Sequence, residues 1–538
     1  MQEVEKGAPG RGWCAIGLAV LALAGPAAAQ SAPAPAPAAD NRRLDVSEYI
    51  VRGNTVLDAR TIETALLPFS GPARTQADLE SARDALLAAY QAKGYQSVYV
   101  DLPEQSGDGG LVFLLVTETR VGRVRVVGAE HTAPLQVRDQ VTALKEGEVP
   151  DFNRAQSELT ALNRGGQRQV VPLVKTGALP GTMDVDLKVE DKSPLTASAG
   201  LNNDHSADTK PLRLLLSVGH NNLWQRGHSV SLSFFGTPED FGESNVWSGA
   251  YVAPMAGTPW SLEVSGYVSD SDVATTGGTT VLGKGDAIGI KATYTVPDSG
   301  DWYQTLSLGV DFKRNKEQLR MGTSGDVVPL NYAPITAAYS GFVQDGNTQA
   351  SFGLSLVAGT RSFFGFGSSE AEFDYKRYKA TPSFVVFKGD TQITVDLPSL
   401  GNTQLGLRAA GQLTDSPLVS SEQISAGGMN SVRGYLSAES TGDYGLVGSV
   451  EWRTPALTVS PWLDAARAYV FTDVGQVRLR DPLPEQQSSF PLWSVGVGGS
   501  FKLAEHVSGR VDLASPLKAG ARTELHDPRV TFSVNANY

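Results

Sequence analysis

Six histidines are scattered at His131, His205, His220, His228, His506 and His526, with no metal-ligand spacing among them. No G-x-S-x-G elbow occurs, so the chain offers no strand-to-helix nucleophile. His220 and His228 flank Asn221, Asn222 and Trp224 at an apparent strand end, a place for a solvated or interfacial histidine rather than a catalytic one. The chemistry on offer is therefore electrostatic, and no catalytic residue, metal site or cofactor is assigned. Asp311, Glu451, Arg453 and Asp473 stand at the centres of alternating apolar and polar runs, and Arg433 stands in a Gly/Ser-rich stretch from Ser420 to Ser440. Read from the residues alone, Arg433 is a solvated loop arginine and Asp473 a pore-lining charge.

The elements that carry these charges are strands. From about Pro194 helical periodicity gives way to two-residue alternation broken by Gly, Asp, Ser and Asn turns. Ser229–Phe234, Thr305–Lys313, Ser351–Ala358, Gln404–Leu413, Gly445–Arg453, Trp493–Lys502 and Val507–Ala514 all follow this scheme. One apolar and one polar face suit a soluble sandwich and a membrane barrel alike. Three features favour the barrel. About 344 residues run on without a helix, charges occupy strand centres where a watery lumen would take them, and the chain ends Val530-Thr-Phe532-Ser-Val534-Asn-Ala536-Asn-Tyr538, alternating up to a terminal aromatic.

Ahead of the strands lies a different grammar, read twice as strand, helix, helix, strand, strand. In the first copy Val46–Val51 is a strand that turns at Gly53-Asn54, and Asp58–Leu67 is a short helix. Thr75 and Asp78 resemble a capping box, and Leu79, Ala82, Leu86 and Tyr90 share a helical face that Gly94 ends. Tyr95–Leu102 and Leu111–Glu118 return as strands. The second copy begins at Arg123–Val127 and turns at Gly128, 75 residues after Gly53. Its second helix starts near Asp151 and aligns Phe152, Ala155, Leu159 and Leu162, and its last strand is Met183–Glu190. A repeat of this period means two small domains of one type in series.

The N-terminus carries an address. Lys6 and Arg11 precede the apolar Trp13–Leu23, Gly25-Pro26 breaks it, and Ala27-Ala28-Ala29 suits a signal peptidase. Cleavage after Ala29 removes the single Cys14 and leaves no internal disulfide. Glu3 and Glu5 weaken the basic start and question the start codon more than the signal. Residues 31–39, SAPAPAPAA, form an extended linker. A net charge of -12 argues against a nucleic-acid partner. Mean hydropathy of -0.15 and 19% charged residues argue against both long disorder and a helical membrane bundle.

Several motifs carry a family resemblance over about residues 45–538. They are Leu162-Asn163 followed by Gly177-Ala178-Leu179-Pro180-Gly181-Thr182-Met183-Asp184, then Asn222-Leu223-Trp224-Gln225-Arg226-Gly227, Ser431-Val432-Arg433-Gly434-Tyr435 and Phe471-Thr472-Asp473-Val474-Gly475. In this order, behind two repeats that look like POTRA domains, the chain resembles the two-partner secretion transporters of the hemolysin secretion/activation family. The resemblance implies a mainly β protein, a transmembrane antiparallel barrel of about sixteen strands preceded by two α/β POTRA domains. Its expected parts are a signal peptide 1–29, a Pro/Ala-rich linker 30–44, POTRA domains 45–119 and 120–192, and a barrel 193–538. About 344 residues over sixteen strands leaves roughly 21 for each strand and connection, enough for strands of about ten.

The implied function is capture of an unfolded exoprotein by POTRA domains in the periplasm and its export through an outer-membrane barrel. The exoprotein carries an N-terminal secretion domain; the other partners are outer-membrane lipid and the barrel-assembly machinery, and the protein is read as a monomer. Folding of the exported chain outside supplies direction, since the periplasm offers no ATP. An unfolded client can add as a strand to a POTRA sheet edge. The lumenal loop motif is Val432, Arg433, Gly434 and Tyr435. Its partner on the barrel wall is Phe471, Asp473 and Gly475, which share one face by period two. Arg433 is expected to pair with Asp473 inside the barrel, its fork matching two carboxylate oxygens. Phe532, Val534 and Tyr538 form the C-terminal assembly signal. Two departures from the family are expected: the short Pro/Ala segment Gln30–Leu44 leaves no room for a pore-plugging helix of 15 or more residues, and Gly165-Gly166-Gln167-Arg168 replaces a Pro-containing turn. The rival function is an outer-membrane assembly or insertion factor, and a passive porin would have no reason to carry the two repeats.

Overall fold

The computed structural model describes residues 43–105, 108–163, 168–271, 275–277, 280–282, 284–297, 302–316, 318–321, 324–327, 329–457, 463–504 and 506–538. The expected signal peptide, nearly all of the linker, the plug question and the Gly165-Gly166-Gln167 turn lie outside the described residues. The chain divides after Glu118 into two units.

The first unit holds β1 (Leu44–Val46), β2 (Glu48–Arg52), α1 (Ala59–Leu66), β3 (Gly71–Arg74), α2 (Gln76–Ala92), β4 (Val98–Asp101) and β5 (Leu111–Glu118). Its sheet runs β2-β5-β4, with β2 parallel to β5. The capping box at Thr75 and Asp78 closes reciprocally, and Leu79, Ala82, Leu86 and Tyr90 are the buried residues of α2. The single run expected at Val46–Val51 is in fact divided at Ser47. β1 pairs with β3 while β2 pairs with β5, and the Ser47 amide donates to Gly110 O instead of continuing a ladder.

The second unit opens with β6 (Arg120–Val127), α3 (Pro134–Gln140), α4 (Phe152–Asn163), β7 (Arg168–Thr176) and β8 (Thr182–Asp191), with sheet order β6-β8-β7. Its core joins Val124, Val137, Leu159, Leu162, Val185 and Leu187. The repeat shows in its glycines. Gly53 and Gly128 both have positive φ, and a Cβ at either would strike the last strand of its own domain, at Val116 O or Val189 O. That close approach excludes any side chain at the turn.

Sixteen strands then close a barrel from Leu195–Asn202 to Arg529–Asn537, all paired antiparallel. One of them is interrupted at Pro334, so that Leu330–Tyr332 and Ile335–Asp345 both pair with Trp302–Asn315. The faces are unambiguous on Leu463–Arg478, where Val470 and Val474 are each 49% exposed while Phe471 and Asp473 are 5% and 0%. Odd residues there point into the lumen and even ones toward lipid. The expectation of a stretch free of helix is corrected by α5 (Glu370–Lys376), capped by Ser369 and Glu372 in a loop between two strands. At seven residues it is shorter than the span over which helical periodicity can be read.

Candidate lumenal site

The long connection between strands Thr403–Thr414 and Tyr444–Arg453 turns into the barrel, where Ile424, Ala426, Val432 and Tyr435 pack against Val447, Val477 and Leu492 of the wall. A Gly/Ser-rich segment has little apolar surface to offset the entropy of ordering, so polar anchors matter here.

The principal anchor is Arg433, 1% exposed. Its backbone amide and Nε donate to Asp473 Oδ2 at 3.0 and 2.7 Å, and Nη2 donates to Asp473 Oδ1 at 2.8 Å. Nη1 reaches Glu451 Oε2 at 2.7 Å and Asp512 Oδ1 at 3.5 Å, and Nη2 also donates to Ser449 Oγ at 2.9 Å. The guanidinium lies 3.3 Å from the centroid of the Phe471 ring, which covers its flat face. Glu451 and Asp512 also hold Arg453 and Arg510, at 2.7 and 2.6 Å, and Tyr469 donates to Asp512 at 2.9 Å. Three guanidinium groups therefore face three carboxylates, and the charges of this set balance around the buried Arg433, with Arg453 and Arg510 partly exposed. A lone buried ion would shed its charge or drive the loop out; a balanced and saturated set can stay.

The rest of the motif fixes the backbone around this fork. Val432 fills the space opposite Gly475, where a Cβ would stand 2.8 Å from its Cγ2. Gly434 has φ +89° and runs against Ala514, so the turn after Arg433 is both left-handed and closely packed. The Tyr435 hydroxyl accepts from Trp493 N at 3.1 Å and lies 2.7 Å from Lys518 O, to which it donates. Sequence reasoning named Arg433 and Asp473, and it noted Glu451 and Arg453 as lumenal charges. It missed Ser449, Tyr469, Arg510 and Asp512. A usable signal exists in Glu451-x-Arg453 and Arg510-x-Asp512, opposite charges two apart on one strand face.

A second anchor, not foreseen, holds the other limb of the loop. Glu422, 2% exposed, accepts from Lys313 Nζ at 2.7 Å and from the Tyr332 hydroxyl at 2.8 Å. Gln412 Nε2 donates to the Glu422 and Asp443 carbonyls, each at 2.9 Å, and ties the two ends of the loop together. A third contact lies at the far side, where Glu439 accepts from Thr523 N and Oγ1 at 2.9 and 2.8 Å. The loop thus reaches across the lumen to separate parts of the wall.

Phe532, Val534 and Tyr538 lie on the lipid-facing side of the last strand, together with the exposed Val530. Tyr538 and Ala197 exchange backbone bonds of 2.8 and 3.2 Å, which fasten the end of the chain to the first barrel strand. The Asn222–Gly227 motif is the turn after strand Arg213–Leu223, and Gln225 at its tip accepts from Ala133 N at 3.0 Å and donates to His131 O at 3.1 Å. That turn clasps the start of α3. The Leu162-Asn163 motif acts locally as well. The Asn163 side chain accepts from Val170 N and donates to Val170 O, at 2.7 and 3.1 Å, and so aligns α4 with β7.

The chain matches the model of the haemolysin secretion/activation protein family ShlB/FhaC/HecB over residues 181–501 and the ShlB-type POTRA domain over residues 44–119. A relative described as outer membrane transporter CdiB, from Escherichia coli, is 24% identical over 88% of this chain and 79% of its own. The solved structure of CdiB from Escherichia coli superposes with a TM-score of 0.65 at 19% identity, covering 94% of this chain and 93% of that one. A BamA structure from Haemophilus ducreyi lacking POTRA domains 1-3 gives a TM-score of 0.55 at 15% identity, covering 92% of this chain and all of that one, and so shares the fold. With the family match spanning more than half of the sequence, the chain belongs to the haemolysin secretion/activation family: it is an outer-membrane transporter of two-partner secretion, a barrel with its POTRA domains in the periplasm.

Proposed function

We propose that this transporter captures an unfolded exoprotein bearing an N-terminal secretion domain and passes it through the barrel while the loop Val432–Tyr435, fastened at Asp473 beside Phe471 and Gly475, controls the lumen. The observation that supports this is the Arg433 cluster, in which one buried side chain bonds groups on three wall strands. A fastening of that density is out of proportion for an idle extracellular loop. The POTRA edges suit an extended client: among the described residues β4 and β7 each have a side without a strand partner, and Tyr99 of β4 and Leu173 and Val174 of β7 are exposed. Transport is read as running without a catalytic step, with folding of the exoprotein outside the cell providing direction.

Other parts of the reading are the domain limits 45–119, 120–192 and 193–538, cleavage after Ala29 ahead of a linker to residue 44, a monomeric barrel in lipid, and delivery to the assembly machinery through Phe532, Val534 and Tyr538. Intact-mass analysis of the purified outer-membrane protein tests the processing: it should begin near Gln30, and a retained residue 1 would refute it. The functional test is export of the exoprotein encoded beside this gene. Arg433→Ala should leave the barrel inserted at normal levels and sharply lower release of that one exoprotein. Normal release at equal barrel levels would refute the role of the loop, and a general loss of outer-membrane proteins on deletion of the gene would favour the assembly-factor reading instead.

A further inference from the structure

The lipid-facing band of the barrel ends at a definite height on strand Trp302–Asn315. This strand is the seventh of the sixteen, and it runs outward because the first leaves the periplasmic side at Leu195. Leu306 and Leu308 are exposed on its outer surface, and Phe312 shares their face by period two. Phe312 stands opposite Ile288 of the neighbouring strand, which is exposed as well; the next pair outward on that face is Arg314 opposite Asp286. Apolar residues give way to charge between those two pairs, and the outer edge of the hydrocarbon band lies there.

A loop returns to this edge. The connection from strand Thr348–Ala358 to strand Val385–Leu397 is extracellular, and within it Phe363 and Phe366 exchange backbone bonds of 3.0 Å each. Their rings lie 5.8 and 5.5 Å from the ring of Phe312, so the hairpin covers the outside of the wall and not the lumen. At its tip Phe364 is 94% exposed and meets Phe363 edge-on at 4.8 Å. The Phe364 backbone is left-handed, with φ +51°, a conformation that suits Gly or Asn and is costly for a bulky side chain. The turn thus accepts a strained backbone to hold a large apolar ring clear of the protein, and in water neither feature is stabilising. Its base is fixed: Ser368 N donates to Asn331 O at 2.7 Å, Asn331 N donates to Ser368 Oγ at 3.1 Å, and Thr360 Oγ1 donates to Ala333 O at 2.7 Å. A milder version recurs elsewhere on the rim, where Phe241 of an extracellular turn lies 5.8 Å from the lipid-side Phe234, itself 4.8 Å from Trp247.

We infer that residues 363–366 form an aromatic wedge that enters the outer leaflet of the outer membrane, with the Phe364 ring among lipid acyl chains. The hairpin continues the lipid-facing surface through Phe312, and aromatic side chains favour the boundary between hydrocarbon and headgroups. The charges nearby are paired, Lys316 with Asp286 at 2.7 Å and Arg361 with Glu370 at 3.0 Å, as suits the headgroup level. An exported chain is the poorer occupant, because it would leave through the lumen, on the opposite face of this strand, where Lys313 bonds Glu422. The wedge would set the depth of this side of the barrel.

The test places p-benzoylphenylalanine, which keeps the aromatic ring, at Phe364 or at the exposed Glu485 in another extracellular turn. The full chain is irradiated in liposomes of phosphatidylethanolamine and phosphatidylglycerol and in cells that also make the exoprotein, with heat-modifiable mobility confirming a folded barrel. Intact mass should show lipid adducts through position 364 and their loss when the group is moved to 485. A second measurement uses Phe364→Cys and Glu485→Cys in a Cys14→Ser background: a charged maleimide added to cells should modify position 485 and leave 364 protected. Equal lipid adducts at the two positions, none at 364, adducts at 364 chiefly to the exoprotein, or equal maleimide reaction would overturn the wedge. Release of the exoprotein is decided by the secretion assay and does not enter these readouts.

Discussion

The two lumenal anchors of the loop differ in how many groups they saturate. Arg433 commits its guanidinium and its backbone amide to Asp473, Glu451, Asp512 and Ser449, beneath a covering aromatic ring. Glu422 receives one ammonium and one phenol, both from strands on the far side of the loop's origin. Both sites are buried, so removing a partner leaves an uncompensated charge in each. They differ in redundancy. At the first anchor two carboxylates remain if one is lost; at the second, loss of Lys313 leaves the Glu422 carboxylate with a single phenolic donor. Tight fastening at the tip and a simpler latch at the stem would let the loop move at its stem first.

Mutations can break this contrast. Arg433→Ala should have the largest effect. Loss of one member of a buried, hydrogen-bonded ion cluster costs about 3–5 kcal/mol, a cost that falls on the loop and not on the barrel ladder. Limited proteolysis of the folded barrel should then cut within 420–440, while the barrel itself persists. Asp473→Ala should be milder than Arg433→Ala, because Glu451 and Asp512 can still receive the guanidinium. Export and loop cleavage would report the order, and identical losses would mean the other two carboxylates contribute nothing.

Glu422→Gln comes next. It keeps the shape and the Tyr332 bond but leaves Lys313 unneutralised, a change worth about 1.5–3 kcal/mol for a bond to a charged group. Single-channel recordings should show more frequent openings with the Arg433 contacts unaffected; a closed, silent pore would mean that the stem is not the part that moves. Gly434→Ala should follow, at about 1–2 kcal/mol for a left-handed backbone, with added crowding against Ala514. Loop cleavage should rise modestly in that variant.

The smallest effect is expected at the periplasmic turn. Gln225→Ala removes two neutral bonds to the backbone of residues 131 and 133, worth about 1 kcal/mol each at most in a partly exposed setting. Hydrogen exchange at the Ala133 amide should quicken, with export little changed. A severe export defect would give this clasp a weight that its two bonds do not explain.

How much of this could be read in advance depends on the range over which each feature acts. The α2 face and its capping box were legible because they repeat within one or two turns of chain. The barrel was legible because a lipid-facing residue alternates with a lumenal one on every strand. The division at Ser47 was not, since it depends on β3 and the Gly110 carbonyl taking partners from what looks like one run. Nor was α5, whose Ser369 and Glu372 box is genuine but heads only seven residues. At the site, the motif pointed to Arg433 and Asp473, 40 residues apart; Asp512 lies 79 residues from Arg433 and the Lys313 partner of Glu422 is 109 residues away. Contacts of that separation are set by which strands face each other across the lumen, and no local pattern encodes it. The charge pairs two apart on single strands were the one local trace, and they mark the lumenal face without naming the partner.

On the proposed function, the fork of Arg433, and not its charge alone, holds the loop where export needs it. Arg433→Lys tests this most directly, because the ammonium keeps the balance of the cluster but cannot span Asp473 and Glu451 with parallel donors. Release of the exoprotein should be measured at matched barrel levels. A loss close to that of Arg433→Ala is expected. Release at the wild-type level by the lysine variant would contradict it and reduce the anchor to simple charge neutralisation.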